Sequence, residues 1–281
     1  MEKNEFRDFQ LLQLQLLDEF VRICDQNNLT YYLIGGTLLG AVRHKGFIPW
    51  DPDIDVAMMR KDYDKFIEIA EKQLDKNRYF LATFQNEKDH YSPHMLLHSN
   101  CVEIFNPILT KYRSHKGVYL DIFPLDDAPD SKSEQNKQAK RIKFLKKIMY
   151  YKQAVIYERP PRIIKSSLKI LLSLFLAPIS LMCLQKRLEK SMIKYDCNGE
   201  SKLVGHMASH YDYKRVLFKR DVYGTPKKVV FEGKTYSAPN KIDLYLKQCY
   251  GNYQELPSIG MQEYFYNAYK DISFVIRDCL K

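Results

Sequence analysis

The chain has 281 residues, of which 45% are hydrophobic and 13% aromatic, so it can bury a sizeable core and is not a disordered chain. Its formal net charge is +10, but the segment from Lys132 to Lys194 holds 16 of the 44 Lys and Arg residues and only 3 of the 34 acidic ones. Because the excess charge belongs to one segment, the high net charge does not indicate a nucleic-acid-binding protein.

Six cysteines are spread along the chain without a CxxC pair, which indicates neither a zinc site nor a disulfide framework. The first ten residues, MEKNEFRDFQ, are charged and lack the apolar segment of a signal peptide. We therefore expect a protein of the reducing cytoplasm.

Apolar residues at helical spacing predict a first helix over residues 5–27. A short strand, YYLIGG, then ends in a glycine pair, and a short helix follows over residues 37–44. DIDVAMM (residues 53–59) has the alternation of a strand, and residues 61–76 return to helical spacing. A strand-rich stretch ends in GVYLDIFPLDDAPD (residues 117–130), where two prolines stop it.

The next segment, residues 131–194, is basic and mostly helical in pattern. It contains ILLSLFLAPISLMCL (residues 170–184), fifteen residues without a charge. Mixed structure resumes over residues 199–256, and residues 261–280 have the pattern of a weak amphipathic helix.

Asp53 and Asp55 lie two positions apart in the predicted strand, so both carboxylates point to the same side of it. Two carboxylates this close repel each other unless a metal or a shared proton relieves the repulsion, and hard oxygen ligands favour Mg²⁺ or Mn²⁺. The alternative is a pair of exposed strand aspartates without a ligand.

The glycine pair precedes these aspartates and can bring backbone N–H groups close to a phosphate. We predict that Gly35, Gly36 and Thr37 cradle a phosphate and that Arg43 and Lys45 assist them. An ordinary turn is the alternative for the glycines taken alone. The two histidines at positions 206 and 210 have the i, i+4 spacing of a metal pair, but no third ligand is suitably spaced, so a surface or substrate role is favoured over zinc.

Together these motifs resemble the LicD/fukutin-type branch of the nucleotidyltransferase superfamily. The resemblance rests on Ile34-Gly35-Gly36 followed by Asp53-Ile54-Asp55, and it continues in YLDIFPLDD (residues 119–127) and in the tail (residues 229–257). It implies an α/β (α+β) fold with a nucleotidyltransferase-like mixed sheet, flanking helices and a basic helical insertion.

The resemblance also implies an activity, namely transfer of a phospho-alcohol from a CDP-alcohol to a sugar hydroxyl of a cell-surface glycan or its lipid-linked precursor. Phosphocholine and polyol phosphates are the groups carried, and capsule and teichoic acid are examples of such glycans. Asp121 in YLDIF looks like the third metal-binding carboxylate, with a turn-proximal salt bridge as its alternative. Glu232 resembles an acid/base residue or is an ordinary strand glutamate.

The chain departs from the family pattern at several positions. Pro52 stands where the family has an aspartate, so it either costs a ladder hydrogen bond or marks a sheet edge, and it leaves the two predicted ligands in place. Met95 and Cys101 lie where we expect a lysine and a threonine, so a phosphate or substrate contact is either missing or supplied elsewhere, for example by His94 or His98.

These observations divide the chain into a catalytic core (1–130), an insertion (131–198) and a C-terminal part that completes the domain (199–281). The basic residues around the apolar stretch predict either peripheral contact with an anionic membrane surface on the cytoplasmic side or a buried helix pair. Two other functions stay open, a nucleotidyltransferase that releases pyrophosphate and an inactive glycan- or membrane-binding protein.

Overall fold

The computed structural model describes residues 3–87, 89–105, 114–152, 178–196, 201–269 and 272–277. Its strands, in chain order, are β1 (Tyr32–Leu33), β2 (Asp55–Met59), β3 (Tyr79–Ala82), β4 (Met95–Phe105), β5 (Gly117–Ala128), β6 (Leu203–Gly205), β7 (Leu217–Lys219), β8 (Lys227–Phe231), β9 (Lys234–Ala238) and β10 (Ser273–Ile276). Its helices are α1 (Lys3–Gln26), α2 (Gly35–Arg43), α3 (Arg60–Gln73), α4 (Lys132–Lys152), α5 (Leu181–Met192), a 3₁₀ turn (Ile193–Tyr195), α6 (Tyr213–Val216), α7 (Arg220–Tyr223), α8 (Ile242–Tyr250) and α9 (Ile259–Asn267).

The main sheet is mixed, with the strand order β1-β2-β5-β4-β10. β2 and β5 are parallel, whereas the other described pairs of this sheet are antiparallel. β3 pairs with β4, β6 extends the sheet from the far end of β5, and β7 pairs with β6, while β8 and β9 form a separate hairpin. The predicted α/β class with a mixed sheet and flanking helices is confirmed.

The core forms where α1 and α3 pack against the sheet. Leu17 and Phe20 of α1 are fully buried, and the Phe20 ring lies 5.0 Å from the Phe66 ring of α3. Burial of large apolar side chains of this kind contributes about 1.5–3 kcal/mol each, which fixes the helices that flank the site strands.

Two predicted elements differ from the observed ones. The glycine pair does not form a turn after a strand, because Gly35 is already the first residue of α2. The predicted C-terminal helix is wrong beyond Asn267, since Ser273–Ile276 forms β10 and pairs with Val102–Phe105 of β4. The unpaired backbone groups at the edge of β4 favour a strand here, and this tertiary pairing overrides the weak helical pattern of the sequence.

The basic insertion contributes two helices that pack on each other and on the sheet. The Gln138 amide of α4 donates to the carbonyls of Ser191 and Met192 at the end of α5, both at 3.1 Å. Residues 153–177, which include part of the predicted apolar stretch, lie outside the described residues. Within the described ranges, no helix combines the length and apolar content that a membrane span requires.

The cysteines follow the expectation only in part. Cys24, Cys183 and Cys249 are free thiols, but Cys101 is disulfide-bonded. The expectation of reduced cysteines therefore does not hold for Cys101.

Candidate functional site

The site begins with a row of aspartates that enters β2. Asp51, Asp53 and Asp55 are half-buried, whereas Pro52 and Ile54 between them are buried on the opposite side. The expected alternation is therefore present. Pro52 lies in the unpaired segment before β2, so it costs no ladder hydrogen bond.

Asp121 lies directly beside Asp55 because β2 and β5 are parallel and in register at these two residues. The Asp121 backbone N–H donates to the Ile54 carbonyl at 3.2 Å, which holds the two strands together at the point where the carboxylates meet. The structure thus brings Asp121 to the aspartates, as predicted.

The start of α2 lies against the same carboxylates. Gly35 has a φ of +56°, and a Cβ at Gly35 would lie 2.6 Å from Asp55 Oδ2. A Cβ at Gly36 would lie 2.5 Å from Asp51 Oδ2. Both positions therefore need glycine, because any side chain would displace a carboxylate. The three residues predicted to cradle a phosphate thus form the N-terminus of α2, which faces the aspartates.

Two hydrogen bonds fix this arrangement. The Thr37 hydroxyl accepts from the Asp55 N–H at 2.8 Å, so Thr37 orients β2 relative to α2. The Gly35 N–H donates to the Tyr245 hydroxyl of α8 at 3.1 Å.

His94 contacts Asp121 on the other side of the site. Its Nε2 lies 2.6 Å from Asp121 Oδ1, and its ring lies 3.9 Å from the Phe123 ring. Of the two histidines that sequence reasoning offered for this region, only His94 reaches the aspartates. His98 is fully buried and bonds the Gly117 carbonyl, so it does not supply the contact.

Burial and mutual repulsion set the electrostatics of the site. Burial raises the pKa of Asp51 and of Asp55 well above the usual range, and the negative charge of Asp53 raises both further. Burial also raises the pKa of Asp121, although the hydrogen bond from His94 opposes this. The cluster therefore has a strong tendency to bind a proton or a cation.

Comparison with known proteins agrees with this geometry. Residues 28–155 match the family model described as LicD/FKTN/FKRP, nucleotidyltransferase domain. Residues 28–155 are therefore similar to a LicD-type nucleotidyltransferase domain. That range holds the α2 N-terminus, Asp51, Asp53, Asp55, His94 and Asp121.

Individual relatives extend the similarity beyond this range. The chain is 29% identical over 262 residues to the lipopolysaccharide cholinephosphotransferase LicD of Haemophilus influenzae, covering 92% of this chain and 94% of the relative. It is 28% identical over 116 residues to an uncharacterized protein of Rickettsia prowazekii, covering 41% of this chain and 40% of the relative.

The chemistry of this set of carboxylates fits a divalent cation, since a positive charge relieves the mutual repulsion that raises their pKa values. Within the described ranges, however, no three His, Cys, Asp or Glu side chains are arranged to hold a metal ion. Coordination by Asp53, Asp55 and Asp121 therefore stays a prediction.

The two predicted phosphate-binding cations do not lie free beside the carboxylates. Arg43 Nη1 donates to the carbonyls of Tyr253 at 3.0 Å and Glu255 at 3.2 Å, so its guanidinium fastens the segment after α8. Lys45 is exposed, has a φ of +61°, and its carbonyl accepts from the Glu232 N–H. Their role toward phosphate stays a prediction.

Glu232 has a structural role in the fold. Its carboxylate binds the Arg7 guanidinium at 2.5 Å and accepts from the Phe47 N–H at 3.0 Å. These contacts join the β8–β9 hairpin to α1 and to the loop before the aspartates.

The segment after β6 adds groups that sequence reasoning did not place at the site. Burial lowers the pKa of His210, while the charges of Asp53 and Asp121 oppose this. Burial raises the pKa of Tyr211 and Tyr250, and the charge of Asp55 contributes to both shifts. No local pattern marks Tyr211 and Tyr250, whereas His210 stands out in the sequence only through its i, i+4 spacing from His206.

His206 does not form a metal pair with His210. It is 2% exposed, its ring lies 6.0 Å from the Phe123 ring, and its Nε2 is 3.5 Å from the Tyr245 hydroxyl. His206 is therefore a buried residue that packs the segment after β6 against Phe123 of β5 and Tyr245 of α8.

Proposed function

We propose that this protein transfers a phospho-alcohol, phosphocholine or a polyol phosphate, from a CDP-alcohol to a sugar hydroxyl of a cell-surface glycan or its lipid-linked precursor. The observation that carries the proposal is the register of β2 and β5, which sets Asp55 beside Asp121 at the N-terminus of α2. The similarity to a named cholinephosphotransferase over most of both chains supports phosphocholine as the first group to test.

In the proposed reaction the sugar hydroxyl oxygen attacks the phosphorus that bears the alcohol. A sugar–O–P bond forms, the bond to CMP breaks, and CMP leaves with the electron pair. Asp53, Asp55 and Asp121 would hold Mg²⁺ or Mn²⁺, which supplies charge stabilisation to the phosphate oxygens.

The chain's own groups have three tasks in this reaction. Thr37 and His94 orient the strand at Asp55 and the carboxylate of Asp121, respectively. One of the three carboxylates would also accept the proton of the attacking hydroxyl. The N–H groups at the start of α2 carry the partial positive charge that suits a phosphate.

Release of CMP from a panel of CDP-alcohols, with and without Mg²⁺, tests the proposal when membrane glycolipids are supplied as acceptor. We expect release from one donor and a loss of about 100-fold or more in Asp55→Asn. Asp25→Asn, an exposed change on α1, is the matched control and should leave the rate unchanged.

The products separate the competing functions. Pyrophosphate from a nucleoside triphosphate, without CMP from a CDP-alcohol, would instead identify a nucleotidyltransferase. Folded protein that releases neither product would contradict both enzyme functions and favour a binding protein.

Contact with an anionic membrane is a further part of the proposal. The exposed face of α4 carries Lys140, Phe144 and Lys147, a mixture suited to acidic lipid head groups. Binding to vesicles with acidic lipids, weakened by salt and absent with neutral lipids, is the expected result. Equal binding to both lipids, or none, would contradict it.

A further inference from the structure

Arg215, at the third position of α6, is held between two tyrosine rings. Its guanidinium carbon lies 4.1 Å from the centre of the Tyr211 ring and 5.4 Å from that of Tyr250. Arginine stacks on aromatic faces in this way because the ring faces are electron-rich. The stacking restricts the guanidinium to one region and removes part of its hydration.

Arg215 has no acidic partner among the described residues. Arg60 and Arg220 illustrate the usual arrangement, since they pair with Asp126 and Asp127, respectively. By contrast, Arg215 Nε is buried without a hydrogen-bond partner in the described part of the chain. A partly desolvated guanidinium of this kind has unused capacity for an anion.

The position of Arg215 relative to the aspartates follows from the strand that precedes it. Gly205 of β6 pairs antiparallel with Asp126 of β5, so the chain beyond Gly205 runs back along β5 toward Asp121. Tyr245, on the same helix α8 as Tyr250, accepts at 3.1 Å from the N–H of Gly35, which lies against Asp55, so the ring of Tyr250 and the Arg215 guanidinium over it belong to the helix that borders the carboxylates. Arg215 is therefore a cation at the rim of the carboxylate cluster.

The backbone around Arg215 is anchored to α8. The Gln248 side-chain amide donates to the carbonyls of Arg215 at 3.2 Å and Leu217 at 2.8 Å. Tyr250 lies on the same helix, so one helix supplies both the backbone anchor and one of the two rings. Arg215 is thus fixed before any ligand binds, which lowers the entropy cost of binding.

We infer that Arg215 binds a phosphate of the donor's diphosphate group. The inference rests on the proposed function and adds a residue to it. A diphosphate that approaches Asp53, Asp55 and Asp121 meets repulsion from their charges, and a fixed cation at the rim offsets it. The planar guanidinium can donate two parallel hydrogen bonds to phosphate oxygens. The Arg43 guanidinium, by contrast, already donates hydrogen bonds to two backbone carbonyls.

CDP is the probe, because its cytidine and diphosphate are common to all CDP-alcohols. Calorimetric titration in Mg²⁺ should show that Arg215→Gln binds CDP about 10- to 100-fold more weakly than the wild type, the range for lost hydrogen bonds to a charged group. Arg215→Lys should recover part of the loss, since it keeps the charge but not the planar fork. CDP affinity should also fall less steeply with salt in Arg215→Gln.

Arg141→Gln, an exposed change on α4, is the matched control and should bind CDP like the wild type. Thermal unfolding of each variant establishes that it is folded. Folded Arg215→Gln with unchanged CDP affinity would overturn the role of Arg215 and leave the proposed function intact. Failure of the wild type to bind CDP at all would overturn the proposed donor class and this assignment with it.

Discussion

At the scale of single residues, Gly35 is a position where the structure leaves no room for a side chain. Its φ of +56° is strained for any other residue, and a Cβ would lie 2.6 Å from Asp55 Oδ2. Gly35→Ala should therefore lower the free energy of unfolding by about 2–4 kcal/mol and displace the Asp55 carboxylate. Urea unfolding measures the first effect, and CMP release the second.

Gly251→Ala provides the matched control for this change. Gly251 also has a positive φ, +67°, but a Cβ there would meet no atom within 4 Å. Gly251→Ala should lose only the backbone contribution to stability, about 1–3 kcal/mol, with no loss of activity. Equal effects at the two glycines would show that contact with Asp55 does not matter.

Among the elements, α4 joins the basic insertion to the site through Lys146. Its ammonium group donates to the carbonyls of Met207 and Ser209, and burial lowers its pKa to about 8. Lys146→Met keeps the length of the side chain but leaves both carbonyls without this donor. We expect a loss of about 1–3 kcal/mol and faster hydrogen exchange in residues 206–211.

Lys147→Met is the control for Lys146, since Lys147 is exposed on the next position of α4. It should leave both stability and exchange within about 0.5 kcal/mol of the wild type. Unchanged exchange in the Lys146 variant would contradict a link between α4 and the site.

How far each element could be predicted depends on whether its signal is local. The periodicity of α1 and α3 and the alternation around Asp53 and Asp55 are local, so these features follow from the sequence. Asp121 was found through the family resemblance, since its register with Asp55 is a property of the folded sheet. The contact of His94 with Asp121 depends on the pairing of β4 with β5, and the stacking of Arg215 on Tyr250 joins residues 35 positions apart, which no local pattern records. β10 was missed for the same reason.

For the protein as one folded unit, acid stability should depend on two buried histidines. Burial lowers the pKa of His98 and of His206 to about 3, against 6.5 for an unfolded histidine. The unfolded chain therefore binds more protons below pH 6.5. The stability from these neutral rings is complete above pH 6.5 and is lost as the pH falls toward 3, by up to about 1.4 kcal/mol per pH unit for each histidine.

His98→Asn isolates one of these contributions. Asparagine can still donate to the Gly117 carbonyl but cannot take up a proton. The difference in unfolding free energy between wild type and variant should shrink as the pH is lowered from 6.5 to 4. A difference that stays constant over this range would show that His98 does not titrate on unfolding.

The attachment of the basic insertion has a consequence for how this fold can vary. Ala128, where β5 ends, and Leu203, where β6 begins, are register partners in the same ladder. The residues between Ala128 and Leu203 therefore connect two neighbouring antiparallel strands, as the loop of a hairpin does. The entropy cost of closing such a connection grows only with the logarithm of its length. The length of this excursion can therefore change while β2 and β5 keep Asp55 and Asp121 side by side.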